Sequence, residues 1–499
     1  MILFLNLNLK ITIDSTMKKL VFFLSIVMAS QNVDAQNFGE ALRYSNLQYG
    51  STTRSMSVGG TMSALGADFS ALSTNPAGLA QYRGAEISAS FGFKSTAAQT
   101  QLLTGNNLPF NQSSIVGTFN NVGLVWGATL SNNSPWTSIR LGIGLNKIAD
   151  LNRSIFITGS SQGSIMERWT SMGNAGTWND LEQFPAVESG AVFYDSVSRR
   201  YVNDIQSTPN ALIKKTQSIE NKGYINELVF SYAGNYKDRL LIGASLGVPF
   251  LNNTENKTYT ETDAINANPS FNKLVYKEFL QTDGVGINAK LGLIVRVSPY
   301  LRLGAAIHTP TLYTMKDTFL NSAEYTYTER NAIKTFTGTS PSGITDYKFQ
   351  TPWRFLASAC VLAGKNGFLT GEAEWVKFNG AKYAYSSDLA ESQKDVNQTI
   401  SDSLTQSMNL RMGGELVLDI FRIRAGAGMQ TSPLANDKTL NWSYSAGVGI
   451  RTGSFFADLG YRNTTESYRY QPYQHFANVQ KVQTNLSYHQ IMATIGFKF

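Results

Sequence analysis

The chain closes on NLSYHQIMATIGFKF, a run that alternates up to its final phenylalanine and thereby limits what the whole molecule can be. His489, Ile491, Ala493, Ile495, Phe497 and Phe499 share one face of a strand, opposite Gln490, Met492, Thr494, Gly496 and Lys498. An apolar face suits lipid and a small or polar face suits a lumen, the pattern of a closing strand in a transmembrane barrel. The last strand of a soluble sandwich would alternate in the same way, so the rest of the chain has to decide.

From Gly84 onward alternating strands follow one another without a convincing amphipathic helix between them. Tight connections at 236–238, 298–300, 364–366, 419–420 and 452–454 alternate with long polar stretches at 159–221, 249–283, 314–350, 380–407 and 463–484. Short turns on one rim and long loops on the other are expected of a barrel with one periplasmic and one external side. Charge supports this. Ile287, Ala289, Leu291, Leu293, Val295 and Val297 oppose Lys290 and Arg296, and Leu410, Met412, Leu416 and Leu418 oppose Arg411 and Glu415. A charge facing lipid near the midplane costs roughly 2–4 kcal/mol, so these charges are expected inside, as are Glu372, Glu374, Asp458, Arg302, Arg422, Arg424 and Lys498. Pairing among them is the simplest use for such a set. The strand count is 14 if 113–130 and 138–159 are each one bent strand, and 16 if each is a hairpin; the bent reading is preferred.

Composition agrees with an all-β membrane chain. Only 15% of the 499 residues are charged, there are 42 glycines, and the mean hydropathy of −0.17 is too polar for a helical membrane bundle. Met17-Lys18-Lys19, then LVFFLSIVMAS, then Val33-Asp34-Ala35 follow secretory order, so residues 1–35 read as a leader cleaved after Ala35, with Met17 as an alternative start. The single Cys360 cannot form an internal disulfide, and no cysteine follows the leader to carry a lipid. The net charge of +7 is scattered rather than clustered with aromatics, which argues against nucleic acid as a partner.

Residues 36–83 break the alternation and are rich in Gly, Ser and Ala. Asp68 before Phe69-Ser70-Ala71-Leu72 reads as a capped turn, Asn75 before Pro76 ends it, and Pro76 opens another turn. The string from Gly59-Gly60 through Ala64-Leu65-Gly66-Ala67-Asp68 to Asn75-Pro76-Ala77-Gly78-Leu79-Ala80 resembles the N-terminal hatch of the FadL/TodX family of outer-membrane transporters for long-chain fatty acids and other hydrophobic compounds. GINAKLGLIVRVSPYLRLGAAIHTPTLY, TPWRFLASACVLAGKNGFLTGEAEWVKF and the stretch from Leu410 to the terminus resemble its later hairpins, so the likeness runs from about Ala41 to Phe499. It implies a transmembrane antiparallel β-barrel of 14 strands (84–499), a mostly helical hatch in its lumen (36–83), a monomer, and a location in the outer membrane of a Gram-negative cell. It further implies passive uptake of a hydrophobic small molecule without a cofactor, through a lumen pocket and a sideways gap at a kinked third strand, among outer-membrane lipid and lipopolysaccharide.

Matched by order, the third strand is 138–159, and its break at Ala149, Asp150, Leu151 and Asn152 is the expected site of the kink. Only Asn75, Pro76 and Ala77 carry over as hatch residues. Trp169, Trp178, Phe184, Phe193 and Tyr194 lie in a long loop and are candidates for a groove where ligand enters, or for packing of the loop on itself. An enzyme would need a nucleophile beside a base. Of the three histidines, His489 is on the lipid register, His475 in a loop and His308 at a strand end, so catalysis is not expected, nor is a metal site. A binding or secretion barrel without uptake, and uptake of haem or aromatics, remain the alternatives.

Overall fold

The computed structural model describes residues 34–499 apart from 49, 132–133 and 474–478; the leader up to residue 33 and His475 lie outside the described residues. Helix α1 (Asp34–Ser45) and the short α2 (Thr53–Ser57) precede the first strand. The strands are β1 (Glu86–Leu102), β2 (Phe110–Thr129), β3 in two parts (Trp136–Asp150 and Arg153–Ser161), β4 (Ile213–Tyr236), β5 (Leu240–Thr262) and β6 (Phe271–Arg296). Next come β7 in two parts (Leu301–His308 and Leu312–Glu329), β8 in two parts (Gly343–Gln350 and Arg354–Leu362) and β9 (Gly367–Lys377). The last are β10 (Gln406–Leu418), β11 (Phe421–Thr431), β12 (Leu440–Thr452), β13 (Phe455–Tyr470) and β14 (Val482–Lys498). Each pairs antiparallel with the next, and β14 pairs with β1 from Glu86↔Lys498 to Leu102↔Val482, closing a barrel of 14 strands. No helix among the described residues is long and apolar enough to cross a membrane.

The alternation read from the sequence holds strand by strand. Leu291, Leu293, Leu410, Met412, Ile491 and Ile495 point outward and exposed, while Lys290, Glu372, Glu374 and Asp458 are buried inside. Most of the inner charges neutralise one another, while Arg302 donates to Leu65 O at 3.1 Å and Arg422 to Asp419 O at 2.6 Å. Arg411 reaches Glu372 at 2.8 Å and Glu374 at 3.1 Å, Arg354 holds Glu374 at 2.8 Å, and Arg424 bridges Glu415 at 2.6 Å and Asp458 at 2.7 Å. Lys290 pairs with Glu227 at 2.5 Å and Lys498 with Glu86 at 3.7 Å. Tight turns use residues that tolerate positive φ, among them Lys237 (49°), Asp238 (55°), Asp419 (54°) and Gly453 (56°).

Three strands are interrupted. β7 breaks around Pro310 and β8 around Pro352, side by side, because a proline has no N–H to give to a ladder; Thr351 N donates instead to Thr311 O at 3.1 Å. β3 breaks at Leu151 and Asn152, and β2 carries a bulge at Asn120, since Ser90 pairs with Asn121 and Phe91 with Phe119. Both long segments are therefore bent strands. The polar stretches expected as loops at 249–283 and 314–350 are largely strand, because β5, β6, β7 and β8 run on far past their apolar bands. With polar residues on the outer face there, an apolar alternation cannot reveal them.

The segment before β1 lies against the inner wall. Asp68 Oδ1 accepts from Ser70 N at 3.0 Å and Asn75 Oδ1 from Ala77 N at 3.1 Å, capping two short 3-10 turns, Phe69–Leu72 and Pro76–Gln81. Asn75 Nδ2 donates to Ser63 O at 2.6 Å, to Leu293 O of β6 at 3.2 Å and to Ala305 O of β7 at 3.3 Å. Phe69, Leu72, Ala77 and Leu79 pack with Val229, Leu241 and Ile294 of the wall. The approach requires glycine in the wall: a Cβ on Gly292 would overlap the Asn75 side chain, and one on Gly243 would overlap the Pro76 backbone. Gly292→Val is accordingly expected to close the barrel but displace this segment. Trypsin should then cut at Arg54, which is half-buried and paired with Glu415, in folded protein that resists cleavage there in the wild type.

Candidate lateral opening

The break in β3 leaves one seam of the barrel unfinished. β2 and β3 pair from Thr129↔Ser138 only as far as Asn121↔Asn146. Beyond that rung β2 continues from Asn120 to Phe110 paired with β1 alone, and the outer half of β3 continues paired with β4 alone, from Arg153↔Asn221 to Ser161↔Ile213. That half turns inward across β1. Thr100 Oγ1 donates to Phe156 O at 2.6 Å, Ser160 N donates to Asn107 Oδ1 at 2.7 Å, and Ile155 and Ile157 pack with Ala98, Leu102 and Leu486. Gln112 Nε2, donating to Ser154 Oγ at 3.0 Å, and the Phe110 and Phe156 rings, 5.1 Å apart, join the outer end of β2 to the first residues of β3 beyond the break.

Asp150 fixes the bend. Its Oδ1 accepts from Lys94 Nζ at 2.9 Å, Asn152 N at 3.2 Å and Asn152 Nδ2 at 3.1 Å, and its Oδ2 accepts from Lys147 Nζ at 3.3 Å. Lys94 Nζ also donates to the carbonyls of Asp150 and Asn152, each at 3.2 Å. On the β4 side Leu151 N donates to Gly223 O at 3.0 Å and Asn152 Nδ2 to the same oxygen at 3.2 Å. The backbone groups at the bend itself are thus taken up by side chains, as a break in a barrel wall demands.

Outward side chains place the seam. Trp126, Leu124, Val122, Phe119 and Ile115 on β2 and Leu141 on β3 are exposed and apolar. On β4, exposed Phe230 and Tyr224 give way to Lys222, paired with Glu220 at 2.9 Å, and Tyr224 is the partner of Asp150. The break therefore sits where the apolar band ends. Its inner face is greasy: Ile148, Ala149 and Leu151 belong to a cluster with Tyr44 of α1, Leu251, Met315 and Phe349. α1 is tied to the same place, since Gln48 N donates to Ile148 O at 2.8 Å and Arg43 pairs at 2.9 Å with Glu255, which Asn221 Nδ2 reaches at 2.7 Å.

Of the loop candidates, Trp169 is wholly buried on helix α3 (Ile165–Ala175), its ring 5.2 Å from Tyr276. Trp178, Phe184, Phe193 and Tyr194 are exposed, and Trp178 and Tyr194 flank Tyr201 at 6.3 and 5.4 Å. Phe184 lies on α4 (Gln183–Glu188). Packing of the loop against the inner faces of β5, β6 and β7, through Tyr259, Phe271, Tyr276 and Tyr325, thus takes Trp169 and leaves an aromatic strip outside. Buried His308 faces Thr74 O at 2.6 Å, and His489 sits on the outer surface with Nδ1 2.7 Å from the Tyr461 hydroxyl. Lys94 and Asn121 were not singled out by the sequence; the visible sign of Lys94 is one cation midway along a strand whose other charge, Glu86, stands at its start.

No family model matches this chain, and no curated protein matches it. Among solved structures, a Pseudomonas aeruginosa FadL homologue aligns over 91% of this chain and 99% of its own, at 10% identity and a TM-score of 0.53. The P. putida toluene transporter TodX aligns over 90% of this chain and 98% of its own, at 12% identity and a TM-score of 0.52. This chain has their fold. The FadL/TodX fold expected from the residues is therefore present, and its third strand here is the one whose break opens a seam.

One buried acid in α1 is expected to respond to pH. Burial, with the charge of Asp317 adding to it and Arg43 opposing, pushes the Glu40 carboxyl up to about 8. A docked helix that holds a proton lost by the free helix is destabilised as pH rises from the ordinary glutamate range to about 8, and the loss levels off above that. A spin label at Gly39→Cys, an open position, with Cys360→Ala, should become more mobile between pH 5.5 and 8.5. Glu40→Gln should remove that change.

Proposed function

We propose that this chain is an outer-membrane barrel of the FadL/TodX type that takes up hydrophobic small molecules by passive diffusion. Ligand is captured among the external loops, where Trp178, Phe184, Phe193 and Tyr194 offer an aromatic surface, and passes to the apolar interior around Tyr44. It leaves sideways between β2 and β3 at Ala149, Asp150, Leu151 and Asn152. Residues 36–83, anchored through Asn75, Pro76 and Ala77, act as the hatch that keeps the lumen from being an open pore, and a single monomeric chain suffices among lipid and lipopolysaccharide. The observation that carries this reading is a ladder that stops at Asn121↔Asn146 with an apolar cluster behind it and apolar side chains in front. A hydrophobic solute released there enters hydrocarbon without crossing water, and no bond is made or broken, so no cofactor is required.

The test is uptake into vesicles. Purified barrel in lipid vesicles should speed equilibration of a fluorescent long-chain fatty acid, or of toluene, beyond vesicles bearing an unrelated barrel. Equal rates for both solutes would remove the transport reading and favour a binding or secretion role.

A further inference from the structure

The outside of the barrel changes character at one rung across β13, β14, β1 and β2. Tyr461, Ile491 and Phe93 stand side by side as an apolar rung, with Leu459, Ala493 and Phe91 beneath. One rung higher are Asn463, His489 and Ser95, and the Tyr461 to His489 contact marks the boundary. Two rungs above that, four neighbouring strands present a continuous row of neutral polar side chains. Ser467 Oγ donates to Asn485 Oδ1 at 2.8 Å, Asn485 Nδ2 to Gln99 Oε1 at 3.5 Å, and Gln99 Nε2 to Asn111 Oδ1 at 3.2 Å.

This face is also hollow. A cavity of about 630 Å³ opens outward over the row, running from Leu440 on β12 to Asn111 on β2. Its lining adds the apolar groups of Ala97, Ala98, Leu440 and Leu486 to that row; among the described residues it contains no lysine, arginine or aspartate, and the acid there, Glu466, accepts from the Tyr488 hydroxyl at 3.1 Å. By contrast, the outer face of β4 above its apolar band carries the ion pair of Lys222 and Glu220. Amides and hydroxyls that both donate and accept match the vicinal hydroxyls of a sugar, whereas a phosphate would call for cations. The apolar rungs directly beneath match acyl chains.

We propose that this trough binds the neutral sugar headgroup of an outer-leaflet glycolipid, whose acyl chains lie against the rungs of Ile491 and Phe93. The proposal rests on the barrel spanning the outer membrane and not on what it transports. Such a lipid would sit one strand away from the open seam, on the far side of β2.

The probe is n-dodecyl maltoside, compared with dodecylphosphocholine and free maltose, added to full-length mature barrel purified in an amine-oxide detergent and read by native mass spectrometry. The wild type should retain the maltoside in preference to the phosphocholine. Gln99→Leu/Asn485→Leu removes neutral hydrogen bonds while leaving the outer face compatible with lipid, and it should weaken retention about tenfold. Heat-modifiable migration on gels reports whether that variant folds, and Asn485→Asp, which keeps the shape, should weaken retention as well. Equal retention of both detergents, or no loss in either variant, would overturn the proposal. Free maltose bound as tightly as the alkyl maltoside would overturn the glycolipid source. Solute uptake by the same variants should stay at the wild-type level, so loss of the transport reading would leave the maltoside preference standing.

Discussion

Deleting Leu151 and Asn152 together is expected to abolish uptake of hydrophobic solutes while leaving a folded, heat-modifiable barrel. Side chains alternate with a period of two, so removing two residues joins Asp150 to Arg153 without exchanging the inner and outer faces of the outer half of β3. That half then continues the direction of the inner half, and Lys147 to Ser161 become available to the free edge of β2. Each rung gained satisfies backbone groups that β2 leaves without a strand partner, so the closed form is favoured by the same rule that makes barrels close. Uptake should fall to the rate of vesicles without this barrel. The control is a Gly-Gly insertion after Lys365, in the short turn between β8 and β9 and away from the seam, which should leave uptake intact. Unchanged uptake after removal of the β3 break would show that solute does not leave between β2 and β3.

The parts of this molecule that the sequence revealed are those with a lipid face. β6, β10 and β14 each put apolar side chains on every second position, and their inner charges could be assigned because lipid tolerates none of them. The break in β3 was visible for a related reason, since Asp150 and Asn152 interrupt an apolar run. What holds the break was not visible. Lys94 lies 56 positions away from Asp150, and nothing local says that the outer half of β3 folds inward against β1 rather than back onto β2. The external ends of β5 and β7 were hidden because their outer faces are polar, while their inward residues Tyr259, Ala323 and Tyr325 are too scattered along the chain to mark an apolar alternation. Trp169 shows the limit for loops: its composition matches that of exposed Trp178, and only the capping box of Ser164 and Glu167, which starts α3, turns it into the loop core.

Asp150→Asn is expected to cost more stability than any single change on the outer surface. The Asp150, Lys94 and Lys147 side chains are 6, 7 and 11% exposed, so the carboxylate is the buried anion shared by two buried cations. Removing one partner of such a group leaves charge without compensation, at a cost of about 3–5 kcal/mol. An asparagine keeps the shape and some of the hydrogen bonds to Asn152, which isolates the charge as the cause. Urea unfolding of the barrel in lipid vesicles should show the loss as a lower midpoint with the slope unchanged. Lys94→Met and Lys147→Met combined with Asp150→Leu removes all three charges, and should recover most of the lost stability, because well-packed apolar groups replace a buried ionic triad at little net cost. The two variants separate structure from function. The triple variant loses the contacts from Lys94 Nζ to the carbonyls of Asp150 and Asn152, so the bend is no longer held even though the wall is stable. Recovered stability with slow uptake would place the role of Asp150 in holding the seam open; recovered stability with wild-type uptake would reduce it to a structural ion pair.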